Sequence, residues 1–386
     1  MKKFQKLNLT NSFPGKNYCL VFLLTLVFFS CKKEISPEEN TANNELSALE
    51  RSGKGIRVHS GGSIQDAVNN ASSGTTIIVE PGIYKESIRV NKPGIQIIGL
   101  SNGRKEIIIE NPGTEEDGID VTTEGDGFVL KNVTVKGFLD NGVLLTGVDN
   151  FVLENVKAIN NKEYGLFPVF CNHGVIKFCS ATGSSDTGIY VGQSQNISIE
   201  HNIAYANVSG FEIENSTNVI ARWNESYDNA AGLLVFLLPG LPVKTSTNIE
   251  VSNNNIHNNN HVNFAPSDGG FEVLIPSGSG ILLVGTDNTT IEKNTISNNN
   301  FVGIATVSTL VLASLAGIPP EAITDIEPNP DGVKIIKNKV TQNGSSAPPG
   351  LPLPAADLLW DGSGNNNCWK NNVYSSSYPA DLPACN

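Results

Sequence analysis

The chain has 386 residues, enough for one large core or two, with 39% apolar residues, 7% aromatics and a formal charge of −12. Loss of the four lysines of residues 1–30 moves the charge to −16, which repels nucleic acid and anionic membrane surfaces and disfavours a polyanionic substrate unless a bound cation bridges the two. Many short apolar runs between Gly- and Asn-rich turns, with almost no helical periodicity, predict an all-β solenoid.

Residues 1–17 are basic and lack acids, and residues 18–29 form an apolar run of signal-peptide length that is short for a membrane span. The run ends in Val27-Phe28-Phe29-Ser30-Cys31, which resembles the lipobox of bacterial lipoproteins, where a small residue precedes the modified Cys. The resemblance implies an acylated Cys31 holding the mature protein on the outer membrane of a Gram-negative cell, facing periplasm or surface. A signal cleaved near an unmodified Cys31 is the alternative. Residues 31–54 read as a flexible polar tether.

Ser63-Ile64-Gln65-Asp66 has the pattern of a helix start, with Ile64, Ala67, Val68 and Ala71 following on one face. Such a helix would cover the open end of a first coil. Strands follow at residues 75–79, 87–90 and 95–98, with Pro81-Gly82 and Lys92-Pro93-Gly94 as turns. The opening, from Ser-Ile-Gln-Asp-Ala-Val through Pro-Gly-Ile-Tyr to Ile-Gln-Ile-Ile-Gly, resembles the N-terminal cap of right-handed parallel β-helix proteins of the pectate-lyase-like superfamily. The likeness runs through about residues 56–345 and implies a fold, not an activity.

From residue 140 onward a short strand recurs, opened by Gly142, Gly165, Gly188, Gly210, Gly232, Gly280 and Gly303, at steps of 23, 23, 22, 22, 48 and 23 residues. A second track, Asn202, Asn224, Asn254, Asn294 and Asn338, has steps of 22, 30, 40 and 44. The two tracks agree on a period near 22 and on where extra residues enter, which marks stacked coils that bury a core only against their neighbours. The fold expected is a single-stranded right-handed parallel β-helix over residues 55–345, three short strands per coil. Val143, Leu145, Leu166, Ile189, Val191, Phe211, Ile213, Leu233, Val235, Ile281 and Leu283 should point inward, and the Asn track should form an amide ladder inside one turn. Residues 346–386 read as a last coil and cap, with Cys368 paired to Cys385 because that Pro- and Asn-rich segment could not hold itself by burial. Cys171 and Cys179 share one coil, and the sequence leaves open whether they bridge or stay thiols.

The extra residues fall at 237–244, 261–277 and 307–330, all apolar and Pro-rich. They are expected to rise at the ends of the Gly-initiated strands and wall a groove, or else to fold back over an outer face made greasy by Leu144, Phe167, Leu234, Phe236, Leu282 and Val284. Asp140, Glu163 and Asp186 each stand two residues before their Gly, giving an acidic ladder one coil apart. Stacked carboxylates repel unless a hard cation such as calcium sits among them, or unless they are simply solvated turn acids. Glu212 and Glu214 share a strand face, with Tyr190 one coil before, at a separation suited to an inverting glycosidase pair unless both are merely exposed. Phe167 and Phe236 would supply apolar contact for a ligand.

Tyr164-Gly165-Leu166-Phe167-Pro168 is similar to the Tyr-Gly-Phe-Asp-Pro-His run of alginate epimerases, which share this fold. Tyr164, Gly165 and Pro168 match. Phe167 and Val169 occupy the family's catalytic Asp and His positions, so its acid–base pair does not carry over. Elimination on uronates also needs a base near the acids, and Arg222 alternates onto a different sheet while Lys162 sits in a turn. His257 and His261 are four apart, but in an Asn-rich turn, so the zinc-protease signature is absent. The sequence supports a lipid-anchored protein binding an extended glycan or a partner protein in a walled groove. The alternatives are a polysaccharide-active enzyme of hydrolase, lyase or epimerase type, and a structural docking subunit.

Overall fold

Period-two alternation in the Gly-initiated strands decides the architecture. The computed structural model describes residue 48 and residues 53–100, 105–351 and 353–386. The expected signal segment, Cys31 and nearly all of the tether lie outside those residues. Among the described residues no helix is long and apolar enough to cross a membrane.

Eleven parallel strands, from Ile88–Val90 to Ser377–Tyr378, form one sheet in strict coil order. Its inward column passes from Leu166 to Ile189, Phe211, Leu233, Ile281, Ile304 and Leu358, each paired with the next and fully buried. Two further strands complete a coil, as Gln195–Glu200 and Ile203–Tyr205 do after Thr187–Gly192. They belong to a second sheet, whose two columns fuse where Val129–Lys136 and Val152–Ile159 run straight through the corner. The opening glycines are set by rung-to-rung contact. A Cβ on Gly165 would lie 2.4 Å from the carbonyl oxygen of Gly188, and one on Gly280 equally close to that of Gly303.

The Asn track is the expected ladder. Asn224 donates from its backbone and side chain to Oδ1 of Asn254, at 2.9 and 3.0 Å, and Asn254 does the same to Asn294. Cys179 occupies the rung before Asn202 and donates its N–H to that residue's Oδ1. A second ladder, Asn207, Asn229, Asn259, Asn299 and Asn343, lines the next turn and was not anticipated. Cys171 and Cys179 are buried free thiols, each pushed up to about 12 by burial.

Both ends are closed. The helix Ile64–Asn70 buries Ile64, Ala67 and Val68, and the Ser63 side chain accepts from the N–H of Asp66. Glu86 completes that N-terminus by accepting from Ser63 Oγ and from the N–H groups of Ile64 and Gln65. At the other end Cys368–Lys370 adds to the stack beside Lys334–Ile336, and the Cys368–Cys385 disulfide ties the segment over buried Trp369.

The insertions do not stand up as the walls of one long groove. They fold down on the outer face of the Gly-initiated sheet and make a second apolar core. It contains Leu234, Phe236, Leu238, Ile275, Leu282, Val284, Leu312 and Leu359. Residues 307–330 contain a helix, Thr309–Leu315, and are pinned to the first insertion by the Lys244–Asp325 ion pair and by Thr309 Oγ1 donating to the Leu237 carbonyl. Phe236, expected to contact a ligand, is 1% exposed under this cover. Burying its ring satisfies the greasy face without a partner.

Candidate active site

The outward column of the Gly-initiated sheet reads, rung by rung, Arg89, Asp120, Leu144, Phe167, Tyr190, Glu212, Leu234, Leu282, Ala305 and Leu359. Arg89 is exposed; Asp120, Leu144 and Phe167 are half-buried. From Tyr190 to Leu359 every member is buried. The site lies where cover begins.

Asp140, Glu163 and Asp186 enter this sheet on successive coils, held in register by Glu163 N–H to Asp140 carbonyl and Asp186 N–H to Glu163 carbonyl bonds of 2.8 and 3.2 Å. The expected acidic ladder therefore exists as geometry. The three residues line a cavity of about 180 Å³ together with Lys162, Ser185, Pro266, Asp268, Gly269 and Glu272. The last four come from the middle insertion. Their signal in the sequence is slight, since Asp268 and Glu272 are the two acids of a segment dominated by apolar residues and prolines. Lys162, set aside as a turn residue, faces the same cavity.

The carboxyls differ in what surrounds them. Glu163 hydrogen-bonds the Asp140 carboxyl, and that bond, with burial and the charges of Asp140 and Asp186, raises its pKa to about 8. Burial lifts Asp186 to about 6, against the pull of hydrogen bonds from Tyr164 Oη at 2.8 Å and Thr187 Oγ1 at 3.0 Å. Glu212 and Glu272 are 4% and 6% exposed, and burial holds both well above the usual carboxylate range. Each offers an oxygen within 4.8 Å of the other and of one on Asp186. Asp186 thus belongs both to the ladder and to a buried triad; the triad, rather than the ladder proposed for calcium, is the tight cluster of oxygens.

Hydrogen counting requires that one acid of the Asp186–Glu212 pair carry a proton. The Thr187 hydroxyl lies 3.0 Å from Asp186 Oδ1 and 2.7 Å from Glu212 Oε2, yet it has one hydrogen to give. Burial holds Glu212 well above the usual carboxylate range, so the proton sits there: Glu212 donates to Thr187, which donates to Asp186. Ser209 Oγ donates to Glu272 Oε1 at 2.5 Å and seats the insertion on the next rung.

The Glu212–Glu214 pair does not open onto a common cleft. Glu212 is sealed beneath Glu272, and Glu214 accepts from Tyr190 Oη at 2.9 Å, which with burial leaves its pKa at about 7. Tyr190 is itself buried, its ring folded along its own strand, so that a Cβ on Gly192 would fall 2.0 Å from its hydroxyl. Tyr164 stacks on Phe167 at 4.2 Å, and Tyr190 meets both edge-on. These aromatics fix the Tyr164 hydroxyl on Asp186, and burial raises the Tyr164 pKa beyond any use as a base.

The model of the right-handed β-helix region family matches residues 117–238 and 237–373, and the chain belongs to that family. Its coils therefore wind right-handed. Among solved structures, the A-module of the mannuronan C-5 epimerase AlgE4 from Azotobacter vinelandii superposes with a TM-score of 0.59 at 18% identity, over 80% of this chain and 88% of that one. The AlgE6 A-module from the same organism gives 0.60 at 17%, over 81% and 82%. A mutant of the periplasmic alginate epimerase AlgG gives 0.53 at 13%, over 82% and 84%. At these identities the likeness establishes the fold. No curated protein matches the sequence.

Proposed function

We propose that this protein is an exported polysaccharide-active enzyme that hydrolyses glycosidic bonds in a neutral glycan, with Glu163 as general acid and Asp186 as nucleophile, the roles that fit carboxyls one rung apart. The observation that carries the reading is the pairing itself. Two carboxyls on adjacent rungs border one open cavity, and they hold their protons to about pH 8 and about pH 6. Near neutral pH one is protonated and the other ionised, which is the division of labour glycoside hydrolysis requires. Glu163 gives its proton to the departing glycosidic oxygen while Asp186, steadied by Tyr164 and Thr187, bonds to the sugar carbon; water then displaces Asp186, and the ionised Glu163 takes the proton of that water. Asp140 is a positioning residue that keeps Glu163 protonated. Lys162, Ser185 and Asp268 supply hydrogen bonds to sugar hydroxyls.

The cavity has five carboxyls and one cation among its lining residues, which favours neutral sugars over uronates and hydrolysis over elimination. That solved relatives in fold are named as alginate epimerases supports a polysaccharide substrate in general terms. We further propose that Cys31 is acylated and anchors the chain to an outer membrane, a reading that mass spectrometry of the mature N-terminus would check.

The test is a panel of neutral and uronic polysaccharides assayed for released reducing ends. Glu163→Gln and Asp186→Asn are each expected to lower turnover about 100-fold or more. Turnover untouched by either substitution would refute the assignment, and binding without turnover on any polymer would favour a non-catalytic glycan receptor.

A further inference from the structure

The cavity is open along the spiral in one direction and shut in the other. Towards the N-terminus the column of turn acids runs from Glu163 to Asp140 and on to the exposed Glu116, whose carbonyl accepts from the Asp140 N–H at 2.8 Å. Those three rungs give an open track of about 10 Å, at about 4.8 Å per coil. Towards the C-terminus the rung after Thr187 is Ser209, and it is already occupied by the Glu272 carboxyl. Behind Glu272 the insertion continues into the apolar core through Phe271, Leu274 and Ile275, packed against Leu234 and Phe236. Pro266, Asp268 and Gly269 form the rim on that side. A sugar chain laid along the track meets the Glu163–Asp186 pair at its blocked end, where no further residue of the polymer can pass.

Resting on the hydrolase reading above, we infer that the protein takes its glycan by a chain end and releases short products of one size, rather than cutting within the polymer. The open rungs on the N-terminal side hold the remainder of the chain. Glu272 serves here as a stopper fixed by Ser209, which explains why a buried acid stands between residues, Phe271, Leu274 and Ile275, that pack into the apolar core. Loop length alone would not define the stop; the seating of Glu272 on the rung next to Asp186 does.

The experiment follows viscosity and product length together during digestion of the polymer that the panel identifies, then compares oligosaccharides carrying a bulky fluorophore on one end or the other. The expected result is viscosity that persists while a single short product accumulates, and cleavage blocked by a label at one end only. An early collapse of viscosity with a ladder of product lengths, or cleavage indifferent to both labels, would overturn end recognition and leave the hydrolase assignment standing. Absence of product from every polymer on the panel would overturn the hydrolase assignment, and end recognition with it.

Discussion

Thr187 lies between Asp186 and Glu212, and its single hydroxyl hydrogen cannot serve two carboxylates, so one of them keeps a proton, which burial places on Glu212. The same holds for Glu163 against Asp140. An acid whose proton is held more tightly in the folded chain than in the unfolded one lowers stability as pH rises. The loss starts above its usual value of 4.5 and is complete above its folded value, because over that window the native state binds more protons than the unfolded state. Thermal unfolding should therefore shift down by a few degrees between roughly pH 5 and pH 9. Glu212→Gln, which keeps the donor without the titration, should flatten that slope. An equal slope in wild type and variant would show that Glu212 is not the buried acid responsible. Asp140→Asn tests the other proton. With the carboxylate partner gone, Glu163 should ionise at lower pH, and the alkaline limb of the pH–rate profile should move towards acid.

At the scale of the repeating element, the turns are held by amides rather than by grease. Asn254→Ala removes the acceptor for two Asn224 donors and the donor to the Ala221 carbonyl, all buried. Orphaned buried polar groups cost about 1–3 kcal/mol each. Urea unfolding is expected to show a loss of that order, and hydrogen exchange should place the opening at the neighbouring coils, since each coil contacts only the next.

Much of this was legible in the chain. The Gly and Asn tracks gave register, inward residues and the location of the insertions, because a 22-residue period repeats each requirement at every rung. The second Asn ladder was legible too, since it repeats the first track's steps of 22, 30, 40 and 44 five residues later, whereas a left-handed position such as Asn253 is held by other residue types on neighbouring coils. Glu272 was illegible. Its position depends on how an irregular 17-residue segment folds back, and periodicity says nothing about that. Glu212 looked solvated for the same reason, since its cover comes from 60 residues further along.

Across the whole molecule, charge and grease are segregated along the axis. The N-terminal rungs of the Gly-initiated sheet present Arg89 and Asp120 to water, and the C-terminal rungs bury Leu234, Leu282 and Leu359 under the insertions. The Glu163–Asp186 pair sits at the boundary. The far end depends on the Cys368–Cys385 bridge, which closes a loop of 17 residues and is worth about 3 kcal/mol on the loop-entropy view. Reduction should loosen residues 368–386 and raise the solvent quenching of Trp369 fluorescence, while the 140–186 rungs keep their hydrogen-exchange protection. Loss of protection at those rungs on reduction would mean that the stack is less modular than its contacts indicate.

The account stands most directly on the pH–rate profile of glycan hydrolysis by the intact protein and by Glu163→Gln. It predicts a bell with limbs near pH 6 and pH 8, set by Asp186 and Glu163, and a variant reduced about 100-fold with its alkaline limb gone. A variant that turns over at the wild-type rate, or an intact protein whose rate stays flat from pH 5 to pH 9, would contradict it.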